Sequence, residues 1–173
     1  IYNQIGNYGK SVEDNPQFFE GWIKLGLLKK MIGDYEGSRD AWEYAGVIRP
    51  KNSLSFANLC ELYWRYLKDF PRSEKNFLMA IKNNPNDEML YISVADLYYY
   101  SFKVKEEMAD EILMEGLKEN PDSLQLTKYL AAVYERRRDY PNALEWWKKA
   151  LAQNPENTEI AAVVDSLTKK VNH

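Results

Sequence analysis

Five prolines beat time along this chain. Pro16, Pro50, Pro85, Pro121 and Pro155 stand 34, 35, 36 and 34 residues apart. A period of that length constrains the fold more than composition does, because self-similar units must each bury a face against the next. The segments that end at the last four of these prolines align: Asp34 to Pro50, Asp69 to Pro85, Lys105 to Pro121 and Asp139 to Pro155. Each carries a small residue, a large one four later and a small one three after that. The triplets are Ser38/Trp42/Ala45, Ser73/Phe77/Ala80, Ala109/Leu113/Gly116 and Ala143/Trp147/Ala150. Steps of four and three return to one face of an α-helix. Proline lacks an N–H and restricts the residue before it, so it ends each helix. Pro71 and Pro141 fall instead at helix starts, where proline is tolerated.

Each of these segments follows another helical pattern. Trp22/Leu25/Gly26, Phe56/Leu59/Cys60/Tyr63, Tyr91/Val94/Ala95/Tyr98 and Leu130/Ala131/Tyr134 keep the i, i+3, i+4, i+7 spacing. Gly26, Cys60, Ala95 and Ala131 share one slot, where a small side chain lets two helices approach. Cys60 therefore reads as a packed residue rather than a nucleophile. Tyr63 to Ser73 is one residue longer than Tyr134 to Ala143, and Tyr98 to Ala109 is two longer. These extra residues are expected in the turn between paired helices, leaving both registers intact.

With these residues aligned, the chain resembles the tetratricopeptide-repeat family, whose period and W-L-G-Y…A…F…P pattern it repeats. "GWIKLGLLKK" with Ser38, Trp42, Ala45 and Pro50 carries the resemblance, and Leu126 to Pro155 carries it further. Lys29 and Thr127 stand at usually aromatic positions and Gly116 at a usual alanine, which should loosen packing locally. The resemblance implies an all-α fold: an α-solenoid of antiparallel helix pairs in a right-handed superhelix. Its expected divisions are a half-repeat at 1–18 with only its second helix, repeats at 19–52, 53–87, 88–123 and 124–157, and a capping helix at 158–173. In the half-repeat, Tyr8 and Ser11 take the large and second small slots. In the last helix, Ile160, Val164, Leu167 and Val171 form one apolar stripe, and Asp165 replaces the small residue where solvent is expected.

The remaining sequence argues against chemistry. Lys and Arg number 23 against 26 for Asp and Glu, a net charge of -3 that gives no footprint for nucleic acid. No apolar run is long enough to insert in a membrane. His173 is the single histidine and Cys60 the single cysteine, and no phosphate loop or metal-ligand motif occurs. No catalytic residue, metal site or cofactor is expected. Arg136, Arg137 and Arg138 are consecutive, so on a helix they point apart, and they read as solvated surface and a turn.

What remains is surface. In the resembled family, the unpacked face of each first helix lines a concave groove. Here that face should carry Glu20, Ile23, Lys24, Leu27 and Met31, then Asn58, Glu61, Trp64 and Arg65, then Ile92, Ser93, Asp96, Tyr99 and Tyr100, then Gln125, Lys128, Tyr129, Glu135 and Arg136. Of these, Asn58, Glu61, Trp64, Arg65, Asp96, Tyr99, Tyr100, Lys128 and Tyr129 are the nine expected binding residues. Trp, Tyr and Arg are the side chains that anchor binding hot spots. Glu61 and Asp96 recur at equivalent places, which implies a ligand with a basic residue. The family's clamp for C-terminal carboxylates is not matched: of Ile23, Leu27, Asn58, Met89 and Ser93, only Asn58 fits. The expected function is a non-catalytic scaffold binding a protein or peptide segment in an aromatic groove. Two alternatives are an accessory region of a larger enzyme or membrane-anchored protein, and a self-assembling array that associates through its uncovered N-terminal end. A soluble chain is expected, with the cytoplasm favoured unless an anchor lies upstream of Ile1.

Overall fold

The computed structural model describes residues 1–172, so His173 lies outside the described residues. Among them every regular element is helical: α1 (Tyr2–Asp14), α2 (Phe19–Met31), α3 (Tyr35–Ile48), α4 (Ser53–Glu61), α5 (Phe70–Asn83), α6 (Glu88–Asp96), α7 (Ala109–Glu119), α8 (Leu124–Arg136), α9 (Tyr140–Gln153) and α10 (Thr158–Val171). The chain divides into two compact units, Ile1–Asn84 with α1 to α5, and a second from Pro85 onward with α6 to α10.

The prolines act as the sequence requires. Asn15, Arg49, Asn84, Asn120 and Asn154 each precede one of them, end a helix, and sit at φ between -128 and -145° with ψ of 68 to 87°. These angles lie outside the α region, which a following proline disfavours. At the other ends, Asp34, Asp69 and Asp139 cap α3, α5 and α9 by accepting from the N–H of Gly37, Arg72 and Asn142. Asn52, Asp87, Ser123 and Asn157 cap α4, α6, α8 and α10 in the same way.

Small residues set the helix-to-helix approach. Trp42 is fully buried over Gly26 and donates its indole N–H to the Ile23 carbonyl. Cys60 is buried, with its thiol donating to the Phe56 carbonyl and its own carbonyl accepting from Ser73 Oγ at 2.9 Å. Burial pushes that thiol well above its ordinary pKa, so it is a poor nucleophile. The three departures from the repeat pattern do not loosen packing as expected. The buried Tyr91 ring fills the space over Gly116, so closely that a Cβ there would lie 2.7 Å from Tyr91 Cγ. Thr127 is buried with its hydroxyl on the Ser123 carbonyl. Lys29 pairs with Asp34 at 3.2 Å.

The extra residues lie between the paired helices as expected, but one of them widens a helix rather than lengthening a loop. α4 continues into a π-helical turn, Leu62–Leu67, and α6 into another, Leu97–Ser101. From helix start to the left-handed residue that ends the connection, Ser53–Lys68 is one residue longer than Phe19–Gly33 or Leu124–Arg138. The wide turn holds that residue inside the helix, not in the loop. In the next repeat the second extra residue goes into a 3-10 segment, Lys103–Met108, ahead of α7. α7 has no side-chain cap. Arg137 compensates by gripping this corner, donating to Asp110 Oδ1 at 2.7 Å and to the Glu106 carbonyl at 2.6 Å, while Tyr134 donates to Asp110 Oδ2.

α10 packs Ile160, Val164 and Leu167 with Ala143, Leu144 and Ala150 of α9. Val171, expected in the same stripe, is 38% exposed, because the helix outruns its neighbour's core residues. Asp165 is exposed as expected.

Candidate functional site

The nine residues expected to line a groove fall into both units. Asn58, Glu61, Trp64 and Arg65 belong to the first, and Asp96, Tyr99, Tyr100, Lys128 and Tyr129 to the second.

In the first unit two expectations fail. Trp64 does not line open surface: it is only 9% exposed, with its ring edge-on to Phe77 at 6.3 Å. The π-helical turn changes the facing of residues within it, so straight α-helical counting misplaces Trp64. Arg65 is exposed and lays its guanidinium 4.2 Å from the Trp64 ring centre. Glu61 is not a carboxylate awaiting a basic ligand, because Lys30 already pairs with it at 2.7 Å. Asn58 is half-buried on α4.

In the second unit the expected residues converge. Tyr99 and Tyr100 sit in the π-helical turn with their rings edge-to-face at 4.9 Å. Tyr129 reaches from α8 and donates its hydroxyl to Asp96 Oδ1 in a short hydrogen bond. Asp96 therefore also has an internal partner, and the inference of a basic ligand loses its second support. The Tyr129 hydroxyl is pushed up to about 12, first by burial and then by Asp96, against a downward pull from Arg136.

Arg136 ties this cluster together. Its guanidinium lies 5.4 Å from the Tyr99 ring centre, 5.8 Å from Tyr100 and 5.5 Å from Tyr129. Helical Cα–Cβ bonds tilt toward the N-terminus, so Arg136 reaches back along α8 over Tyr129, seven residues earlier. The three consecutive arginines do point apart. Arg136 stacks on tyrosines, Arg137 grips the α7 corner, and Arg138 takes the left-handed turn at φ 61°. Arg136 and Arg138 are exposed, as the plain reading of surface and turn has it, and Arg137 departs from it.

Beside Tyr129 lies an apolar cleft of about 600 Å³, lined by Leu124, Gln125, Lys128, Tyr129, Ala132 and Trp147. A smaller hollow shares Lys128 and Trp147 and adds Glu159, Ile160 and Val163. Trp147 is thus more than a packing knob. It is half-buried against the α9–α10 core, shows part of its ring to the cleft, and donates its indole N–H to Glu135 at 3.3 Å. The repeat pattern concealed this role, since Trp147 and Trp42 occupy the same slot and Trp42 is fully buried. Ala132 was the available signal: a small residue between Tyr129 and Arg136 on their own stripe leaves a hollow. No group of three or more His, Cys, Asp or Glu side chains is placed to hold a metal ion among the described residues. No helix among them is long and apolar enough to cross a membrane.

Residues 127–157 match the family model for the tetratricopeptide repeat. No curated protein sequence matches the chain. Solved structures do. MamA superposes with a TM-score of 0.68 at 18% identity, covering 88% of this chain and 87% of that one. YrrB, described as a TPR protein with an unusual peptide-binding site, gives 0.63 at 11% identity over 95% and 84%. TTC0263, a thermophilic TPR protein of Thermus thermophilus, gives 0.57 at 18% identity over 95% and 88%. At these identities the likeness is one of fold. Residues 127–157 are a tetratricopeptide repeat by their match to the family model, and the chain's helix pairs share the fold of these tetratricopeptide-repeat structures.

Proposed function

We propose that the chain is a non-catalytic interaction scaffold that holds a peptide or helical segment of a partner protein on the α8 face of the second unit. One observation carries this reading: the cleft of about 600 Å³ between Leu124, Ala132 and Trp147, rimmed by Tyr129 and Lys128. Its volume has room for more than one large side chain and falls in the range of ligand pockets, and its walls are apolar with few polar groups. Tyr100, 56% exposed, extends the surface beyond the cleft. The description of YrrB, which shares the fold, as having a peptide-binding site supports the reading. Asn58 and Arg65 belong to the first unit, and the reading does not depend on them.

The test is selection of randomised dodecamer peptides on the immobilised chain, followed by affinity measurement against Tyr100→Ala and Ala132→Gln. Tyr100→Ala removes exposed ring surface, and Ala132→Gln fills the cleft from its floor. Each should weaken selected peptides by about 1–2 kcal/mol with helicity unchanged. A selection that yields no binders, or binders indifferent to both substitutions, sinks the reading.

A further inference from the structure

The stacking around Arg136 determines the chemistry a ligand must bring. Aromatic rings that face solvent attract cations. Here this chain's own cations already occupy them: Arg136 approaches Tyr99, Tyr100 and Tyr129, and Lys103 lies 4.7 Å from the Tyr99 ring centre. The acceptors nearest the rings are occupied too. Asp96 takes the Tyr129 hydroxyl, Glu135 takes the Trp147 indole and Glu106 pairs with Lys103. Two strong groups are left over. Arg136 is exposed and makes no ion pair among the described residues, and one hydrogen bond to the Tyr129 hydroxyl takes only part of a guanidinium with five donors. Lys128 is exposed on the cleft wall, also without an ion pair among them. A basic ligand would meet like charge and covered rings. An acidic one would meet a flat guanidinium held in place by three tyrosines, which is the preorganised state for forked binding of a carboxylate.

We infer that this face binds an acidic peptide segment, with an Asp or Glu carboxylate on Arg136 and a large apolar side chain beside it in the Trp147 cleft. The inference rests on the peptide-scaffold reading above and narrows it. It also gives the ligand a direction. Glu159 stands at the far edge, in the small hollow beyond Lys128. It repels a second carboxylate there, so the acidic residue lies toward Arg136 and the apolar residue toward α10. The tyrosines are positioning residues in this arrangement. Tyr99 and Tyr100 reach Arg136 from within the turn that holds the extra residue, so that insertion helps to form the site.

The peptides selected on the full chain supply the test, each compared with a copy in which Asp and Glu become Asn and Gln. Three proteins are used: wild type, Arg136→Gln and Arg136→Lys, each with helicity confirmed. Selected peptides should be enriched in Asp or Glu next to a large apolar residue. Their affinity should fall about tenfold or more with Arg136→Gln and with the neutralised peptide, and the two losses should not add. Arg136→Lys, which keeps charge without the fork, should recover only part of the loss. Binding should weaken as salt rises. Peptides that need Tyr100 and Ala132 but are neutral or basic, and bind Arg136→Gln as well as wild type, overturn the acidic assignment while leaving the scaffold reading intact. Retention on vesicles of anionic phospholipid that depends on Arg136, without any acidic preference among peptides, also overturns it, since the anion would then be a headgroup.

Discussion

Two glycines in this chain have opposite reasons for being glycine. A Cβ on Gly26 would run into three atoms of the Trp42 indole, which is fully buried and pinned by its hydrogen bond to Ile23. A Cβ on Gly6, inside α1, would meet nothing within 4 Å. Gly26→Ala should therefore destabilise the fold, because overpacking of about 1–3 kcal/mol outweighs a helix-propensity gain of about 1 kcal/mol. Gly6→Ala should stabilise α1 by about 0.5–1 kcal/mol. Denaturant midpoints of the two variants, compared with the parent, check both signs. Tyrosines predict a second behaviour. The hydroxyls of Tyr63, Tyr91, Tyr129 and Tyr134 are pushed up to about 12, in each case by burial first. In the unfolded chain they ionise near about 10. Between those values the unfolded state binds fewer protons, so stability falls as pH rises, while below about 10 this contribution is fully present. Melting temperatures should drop across that alkaline window, and Tyr91→Phe should make the drop shallower. Single residues also mark where the sequence could be read and where it could not. The buried state of Trp42, Cys60 and Ala131 follows from recurrence, because equivalent slots do equivalent work. Recurrence is also why Trp147 was hidden: its slot-mates are buried, and only local neighbours such as Ala132 open it to solvent.

At the scale of the helix, boundaries were legible because they are chemical. The Asx–Pro or Arg–Pro ends and the aspartate caps are written in adjacent residues. Asp34 illustrates the cap. It accepts from the Gly37 N–H at 2.8 Å, and that bond, ahead of the Lys29 pair, holds its carboxyl below the usual range. Asp34→Ala should cost about 1 kcal/mol, and Asp34→Asn, which keeps the acceptor, a good deal less. A thermal-melt comparison of the two separates the cap from the ion pair, since both variants lose the charge. The π-helical turns were not legible. An insertion between two aligned patterns has the same sequence signature whether it lengthens a loop or widens a helix. Hydrogen bonding decides, and Asp69 N–H to the Tyr63 carbonyl shows the wide turn closing onto the next helix cap. The misplacement of Trp64 follows from this one ambiguity, because facing was counted at α-helical pitch through a segment that does not keep it.

For the molecule as a whole, fold class followed from the helical patterns and the family resemblance they carry, while the binding surface required coordinates. The expected cooperation of Asn58, Glu61, Trp64 and Arg65 with the tyrosines assumed that a shared helix face means a shared task. Instead Glu61 is spent on Lys30 and Trp64 on the interior, and the cluster that remains is confined to the second unit. Stability should be uneven along the chain. α1 buries only Val12 and has no side-chain cap, whereas α8 and α9 each bury several residues and are both capped. Amides of residues 2–12 should exchange with deuterium faster than those of 124–152, as expected of a terminal unit with one neighbour. Equal protection at both ends, measured at several concentrations, would mean that a second copy covers α1. The wide turns also have a consequence for how such a chain can change over generations. One codon gained within a helix ordinarily rotates every later side chain by about 100°, and the downstream packing is lost. Here the surplus residue is absorbed before the left-handed corner at Lys68, and Asp69 begins the next helix in phase. Each copy can therefore drift in length without disturbing its neighbours, and the places where drift accumulates are the places where a new surface can arise.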